Sequence, residues 1–233
     1  MLLSLTGAAG SLDAIGFLAL GHVFTANMTG NTVLLGLHVA QEQGAAAVRS
    51  LIALLGFGVG LVIGALIVER SADAAPWPKA VTQALALEVL ILAVFAIGSY
   101  LTAVIREVWE AQTLIALSAI AMGMQSAAAR RLDVPGIATT YLTGTFTSAV
   151  TGLVAKSGRS PRTSPTAATT RTSHPWRRPV GLQLLALVVY GLGALIAGVL
   201  QAHWARLAAI LPFAVVAAVV VTAPIWIHSR ATK

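Results

Sequence analysis

Six stretches of about 20 residues hold at most one charged side chain each: roughly 2–20, 46–68, 80–104, 109–129, 180–202 and 206–227. A helix of that length crosses a hydrocarbon core ~30 Å thick. In hydrocarbon only a helix or a closed barrel satisfies its own backbone polar groups. The runs therefore predict an all-α membrane protein with six transmembrane helices. Composition agrees, because 57% of the 233 residues are apolar and 10% charged, against ~25% charged in a soluble domain. The first run has no basic n-region and no cleavage site, so it reads as a span and not as a signal peptide. Trp77, Trp109, Trp204 and Trp226 fall at expected span ends and Trp176 just before one, as an interfacial belt requires.

The net charge of +7 is misleading. Six of the bases are Lys156, Arg159, Arg162, Arg171, Arg177 and Arg178, in one stretch without an acid. Residues 157–179 read as a disordered, basic, cytoplasmic loop, rich in Ser, Thr, Pro and Arg. A charge confined to one loop does not argue for a nucleic-acid partner. The absence of Cys excludes disulfides, zinc–thiolate sites and thiol catalysis.

Two further segments, 22–41 and 134–155, are apolar enough to enter a bilayer but rich in Thr, Asn and Gly. The positive-inside rule tests whether they cross. If both cross, the bases divide ten against five; if both dip in and return, they divide twelve against three. The second arrangement is the stronger. It makes 22–41 and 134–155 re-entrant or broken segments and puts both termini in the cytoplasm.

The halves of the chain resemble each other. Met28-Thr29-Gly30 matches Leu142-Thr143-Gly144, Gly10 falls near Gly123, and the run from Phe57 to Ile63 matches that from Tyr190 to Ile196. Residues 1–106 then form one repeat, with spans 2–20, 46–68 and 80–104. Residues 107–233 form the other, with spans 109–129, 180–202 and 206–227 and the basic loop as an insertion. Three crossings per repeat force the second copy to enter from the opposite side, so the repeats are inverted, as in many transporters. Gly56, Gly60 and Gly64 recur every four residues and make a flat ridge for close helix packing; no strand precedes them, as a dinucleotide fingerprint would need.

Broken backbone at membrane depth survives only inside protein or beside a water-filled cavity. A helix starting near Thr29 or Thr143 aims free N–H groups into the protein. Asn27, Thr29, Gly30 and Asn31, with Thr139, Thr140, Thr143, Gly144 and Thr145, line such a site with neutral donors and acceptors. Gln125, close to Arg130 and Arg131, joins them as a lone polar residue in an apolar span. That lining suits a small polar or anionic solute, although the same hydroxyls also serve as helix caps and interhelical glue. Asp13 lies ~16 Å along its helix from Leu2, and Glu88 ~12 Å along its own from Ala80, both away from either surface. An intramembrane carboxyl is a functional candidate by default, and these two are the candidate proton carriers. No two His share metal-ligand spacing, and no nucleophile elbow, P-loop or His-Glu-x-x-His occurs. No metal, cofactor or enzyme activity is expected.

The runs Gly10-Ser11-Leu12-Asp13-Ala14 and Gly21-His22-Val23-Phe24-Thr25-Ala26-Asn27-Met28-Thr29-Gly30-Asn31-Thr32 strongly resemble the YoaK family of bacterial membrane proteins. So do Gly123-Met124-Gln125, Arg130-Arg131-Leu132, Thr139-Thr140 and Thr143-Gly144-Thr145. The resemblance implies a multi-pass protein of the bacterial inner membrane and brings no established activity. The leading expectation is a small-solute transporter, with an hourglass-type channel as the rival and an intramembrane enzyme or lipid-interacting scaffold behind both. The bilayer is the expected partner, and self-association in it stays open.

The chain has no native thiol to remove, so single cysteines report sidedness directly. Cysteines placed at Ser71, Ser160 and Thr232 should label from the cytoplasm, and those at Gln43, Glu107 and His203 from outside. Labelling of Gln43 and Ser71 from one side would sink the re-entrant arrangement and the inverted repeat together.

Overall fold

A computed structural model describes residues 1–71, 75, 77–102, 107–132, 150 and 180–231. Among these residues there is no strand. The helices are α1 (Leu2–Ala19), α2 (Met28–Ala40), α3 (Gly44–Glu69), α4 (Lys79–Leu101), α5 (Val108–Arg131), α6 (Val180–His203), α7 (Ala205–Ala208) and α8 (Ile210–Ala231). The expected segments at 134–155 and 157–179 lie, except for Val150, outside the described residues.

Five helical stretches are long and apolar enough to cross a membrane: Leu2–Ala19, Gly44–Glu69, Lys79–Leu101, Gly181–His203 and Ala205–Ala223. The sixth expected run forms α5, which at 24 residues is ~36 Å long but is not apolar enough to count by the same measure. Its surroundings explain the difference. α5 packs against α3, α4 and α1 and buries Ser118 and Gln125 with a run of small residues, Ala119, Ala121, Gly123 and Ala127 to Ala129. A helix wrapped by other helices needs little greasy surface of its own. Its start is closed by a capping box, in which Glu110 accepts from the Glu107 N–H at 2.8 Å.

Two helix pairs interlock through glycine. Along α3, Gly56 faces Ala116 and Ala119 of α5, Gly60 lies against the Ile120 carbonyl, and Gly64 faces Met124 and Ala127. Equal steps of four on both helices mean that α3 and α5 run in the same direction. In the second pair, Gly10 of α1 lies against the Tyr190 carbonyl of α6, and Gly193 of α6 against the Gly7 carbonyl. The two sets correspond. Gly123 meets the Phe57 carbonyl as Gly10 meets that of Tyr190, and Gly60 meets Ile120 as Gly193 meets Gly7. These are the positions at which the two halves of the sequence match.

The chain between α1 and α3 makes a hairpin into the bundle. After α1 it reverses through two left-handed residues, Gly21 (φ 92°) and His22 (φ 62°), and glycine carries no Cβ penalty there. It then runs back along the helix it has left. Phe24 stacks on Phe17 with ring centroids 5.5 Å apart, the Val23 carbonyl lies beside Gly16, and the backbone of Thr25 and Ala26 reaches Asp13. Asp13 is six residues inside the end of α1, a depth of ~9 Å. From there α2 climbs out again. Its 13 residues span ~20 Å, too short to cross a ~30 Å core. Near its end His38 comes within 3.5 Å of Ser50, while Arg49 donates to the Gly21 carbonyl at 3.2 Å. The hairpin leaves and returns at the same end of the bundle.

A Cβ at Gly60 would run into the α5 backbone, whereas one at Gly58 meets nothing within 4 Å. Gly60→Ala should therefore lower stability by about 1–3 kcal/mol, the usual cost of overpacking. Gly58→Ala should hold or slightly raise it through helix propensity. Thermal unfolding in detergent measures both, and equal melting temperatures would contradict the close approach.

Candidate functional site

The hairpin exposes backbone groups that no helix satisfies, and side chains take them up. Asn27 caps α2, its Oδ1 accepting from the Gly30 N–H at 3.1 Å. Asn31 is wholly buried one turn further on. Its Oδ1 accepts from the Phe24 N–H at 2.9 Å and its Nδ2 donates to the Phe24 carbonyl at 2.6 Å. Gly30 leaves room for the Phe24 ring, which a Cβ there would meet at 2.8 Å.

Asp13 holds the deepest part of the turn. The residue is 3% exposed; Oδ1 accepts from the N–H groups of Thr25 and Ala26 at 2.7 and 2.6 Å. Oδ2 accepts from the Tyr190 hydroxyl of α6. One side chain thus joins α1, the turn and a helix from the other half of the chain. Two backbone N–H groups can only donate, so they suit a carboxylate oxygen.

The remaining predicted residues divide. Thr29 and Thr32 lie exposed on α2, Thr32 bonding back to the Met28 carbonyl at 2.9 Å. Gln125 is fully buried in α5 and donates from Nε2 to the Leu5 carbonyl at 3.1 Å, which ties α5 to α1; its Oε1 has no partner. Glu88 is fully buried in α4, and neither carboxyl oxygen has a hydrogen-bond partner. Asp13 and Glu88 are not bonded to each other. Thr139, Thr140, Thr143, Gly144 and Thr145 lie outside the described residues.

Among the polar residues that sequence reasoning did not single out are Tyr190, Thr25 and Gln183. The signal for Tyr190 was present in the repeat. Matching Gly10 to Gly123 pairs Asp13 with Ser126, and matching Phe57 to Tyr190 pairs the phenol with a plain ring. A hydroxyl stands opposite a carboxylate in one copy and is absent from the other. Gln183, 1% exposed with both amide atoms unpartnered, carried no such signal.

Long apolar helices packed around a buried polar turn define a multi-pass membrane protein. More specifically, the chain belongs to the family described as Protein of unknown function (DUF1275), whose model matches residues 1–223. It is 39% identical over 215 residues to the UPF0700 transmembrane protein YoaK of Bacillus subtilis (strain 168), covering 92% of this chain and 89% of that one. No solved structure matches.

Tyr190→Phe removes one donor from Asp13 and should cost about 1–3 kcal/mol, because the other partner stays buried. Asp13→Leu strands two N–H groups and a phenol and should cost more. The two losses should not add. Contacting residues couple, so Tyr190→Phe should have little further effect on the melting temperature of Asp13→Leu, and full additivity would disprove the bond.

Proposed function

We propose that the chain is a small-solute transporter of the bacterial inner membrane, with six spans, two re-entrant polar segments and both termini in the cytoplasm. In this reading α5 is the sixth span, shielded from lipid by its neighbours. The two segments of the sequence repeat enter from opposite faces, and their turns meet near the midplane. The observation that carries the reading is the out-and-back hairpin of residues 20–40, which brings the start of a short helix to the depth of Asp13. Interrupted helices facing a midplane site are the construction of many transporters. The directions of the helices support the inversion. α1 and α5 are equivalent in the repeat, yet Gln125, near the end of α5, bonds to Leu5, near the start of α1. Two copies related by a parallel repeat would bring the two starts together instead.

Asn27, Thr29, Gly30 and Asn31 from one repeat, with Thr139, Thr140, Thr143, Gly144 and Thr145 from the other, form the solute site, and Gln125 borders it. Asp13 and Glu88 carry protons. The geometry suggests how coupling works at Asp13. A proton bound there competes with the Thr25 and Ala26 N–H groups and the Tyr190 phenol, so loading it loosens the turn that shapes the site. The chain does no chemistry on its solute. A channel is the second reading, favoured by the same short half-helix; fold-level analogy to hourglass channels supplies nothing further.

A thermal-shift screen of small polar metabolites on purified protein comes first, followed by uptake of any stabilising ligand into proteoliposomes. A transporter should saturate, and an imposed pH gradient should drive uptake that Asp13→Asn abolishes while the protein still folds. Unsaturable flux would favour the channel, and flux indifferent to the gradient would remove proton coupling.

A further inference from the structure

The two halves of the sequence are interleaved in space. α1 packs chiefly against α6 and α8, both from the second half, and α5 chiefly against α3 and α4, both from the first. Among the described residues α1 has no comparable packing on α3 or α4. The close approaches follow the same exchange, since each glycine-locked pair, α3 with α5 and α1 with α6, takes one helix from each half. Gly7 meets the Val189 side chain and Gly198 meets that of Leu18, so α1 and α6 run in the same direction, as α3 and α5 do.

These pairs cannot slide without separating. A Cβ on Gly123 would stand 2.2 Å from the Phe57 carbonyl oxygen, and one on Gly10 2.2 Å from that of Tyr190. One turn to either side of Gly123 stand Ala119 and Ala127, and of Gly10 Thr6 and Ala14. A one-turn shift would bring a Cβ to a place where none fits. Close-packed interfaces change between discrete arrangements and do not deform by degrees. Ser11 ties the second pair further, its hydroxyl donating to the Gly193 carbonyl at 3.1 Å.

The links between the two pairs are of another kind. Gln125 of α5 donates to the Leu5 carbonyl of α1 at 3.1 Å. The hairpin spans the division, with α2 packed on α3 and the turn before it held to α1 by Asp13. α4 meets α8, a helix without glycine, and the Arg206 guanidinium lies 5.8 Å from the centroid of the Tyr100 ring. Such hydrogen bonds and side-chain contacts break and re-form without forcing backbones apart.

We propose that the parts that move against each other in the transport cycle are α2 to α5 on one side and α1 with α6 to α8 on the other, each built from both halves of the sequence. This division rests on the transport reading above and departs from the common pattern, in which one repeat rocks against the other. Neither repeat can move here as a unit, because that would pull both glycine pairs apart at once. α4 travels with α5 and α8 with α1, which are equivalent contacts in the repeat. Asp13 is the latch: its bonds to Thr25 and Ala26 cross the division, whereas its bond to Tyr190 stays within one part.

The chain lacks cysteine, so pairs of spin labels on introduced cysteines report the motion in full-length protein in liposomes. Leu18, Leu66, Val108 and Leu185 are exposed, one each on α1, α3, α5 and α6. The distance between Leu18 and Leu185, and that between Leu66 and Val108, lie within one moving part. The distance between Leu18 and Leu66, and that between Val108 and Leu185, lie within one half of the sequence. In the wild-type chain the first two should be narrowly distributed and the second two broader. Asp13→Asn weakens the latch, and Gln125→Leu removes the bond to Leu5. Each should shift the second two distances by about 5 Å, the scale of a one-turn ratchet, and leave the first two in place. The wild-type comparison does not depend on either variant folding. Movement in the first two with the second two fixed would mean that the halves rock, and would overturn the inference while leaving transport standing. Movement in all four also overturns it alone. Four narrow distances that no variant shifts would describe a single rigid body, and the transporter reading would fall with the division.

Discussion

The carboxyl of Asp13 holds a stretch of non-helical backbone deep inside a helical bundle, and the arrangement of the N-terminal half depends on it. An unpaired N–H costs several kcal/mol in hydrocarbon, so residues 23–27 could not lie at that depth on apolar contacts alone. Asp13 takes up two of the N–H groups, Asn31 takes up both polar groups of Phe24, and Asn27 closes the start of α2. With those bonds made, α2 can be too short to cross and still be well defined. The Tyr190 phenol adds a link to α6, so the turn is anchored on both halves of the chain.

Glycine decides how the rest of the bundle assembles. No hydrophobic force draws one apolar helix to another inside lipid, and close backbone approach supplies the missing attraction. Gly60 and Gly123 in one helix pair, and Gly10 and Gly193 in the other, lie against carbonyls of the facing helix where a side chain has no room. Both pairs use equivalent residues, so one solution to helix packing serves twice. What differs between the copies is polar: Asp13 and Tyr190 in one, Ser126 and Phe57 in the other.

The long helical runs, the broken backbone before α2 and the glycine ridge at 56–64 were all legible before any coordinates, because each follows from a local rule. Length and apolarity specify a helix in lipid; Thr, Asn and Gly mark broken backbone; a four-residue spacing of glycine marks close packing. Candidate residues were legible in kind but less so in role. Asn27 and Asn31 were marked as solute-facing polar groups, and both use side-chain atoms to secure the turn. Asp13 was marked for its depth alone.

Only the tertiary structure decided which groups meet. Asp13 and Tyr190 are 177 residues apart, and Gln125 and Leu5 are 120 apart; no periodicity encodes such pairings. The unpartnered state of Glu88 is likewise a property of its neighbours, since a carboxyl in an apolar run looks the same in sequence whether or not a donor packs against it. α5 shows the converse, a run of middling apolarity whose place at the centre of the bundle makes a greasier surface unnecessary. By itself, then, the sequence determined that the chain forms long apolar helices suited to a membrane and that its backbone breaks before α2, because these depend on residues close together along the chain. Which polar groups find partners and which are left wanting was decided by the fold, because hydrogen bonds form between atoms that packing brings within 3 Å, whatever their distance in sequence.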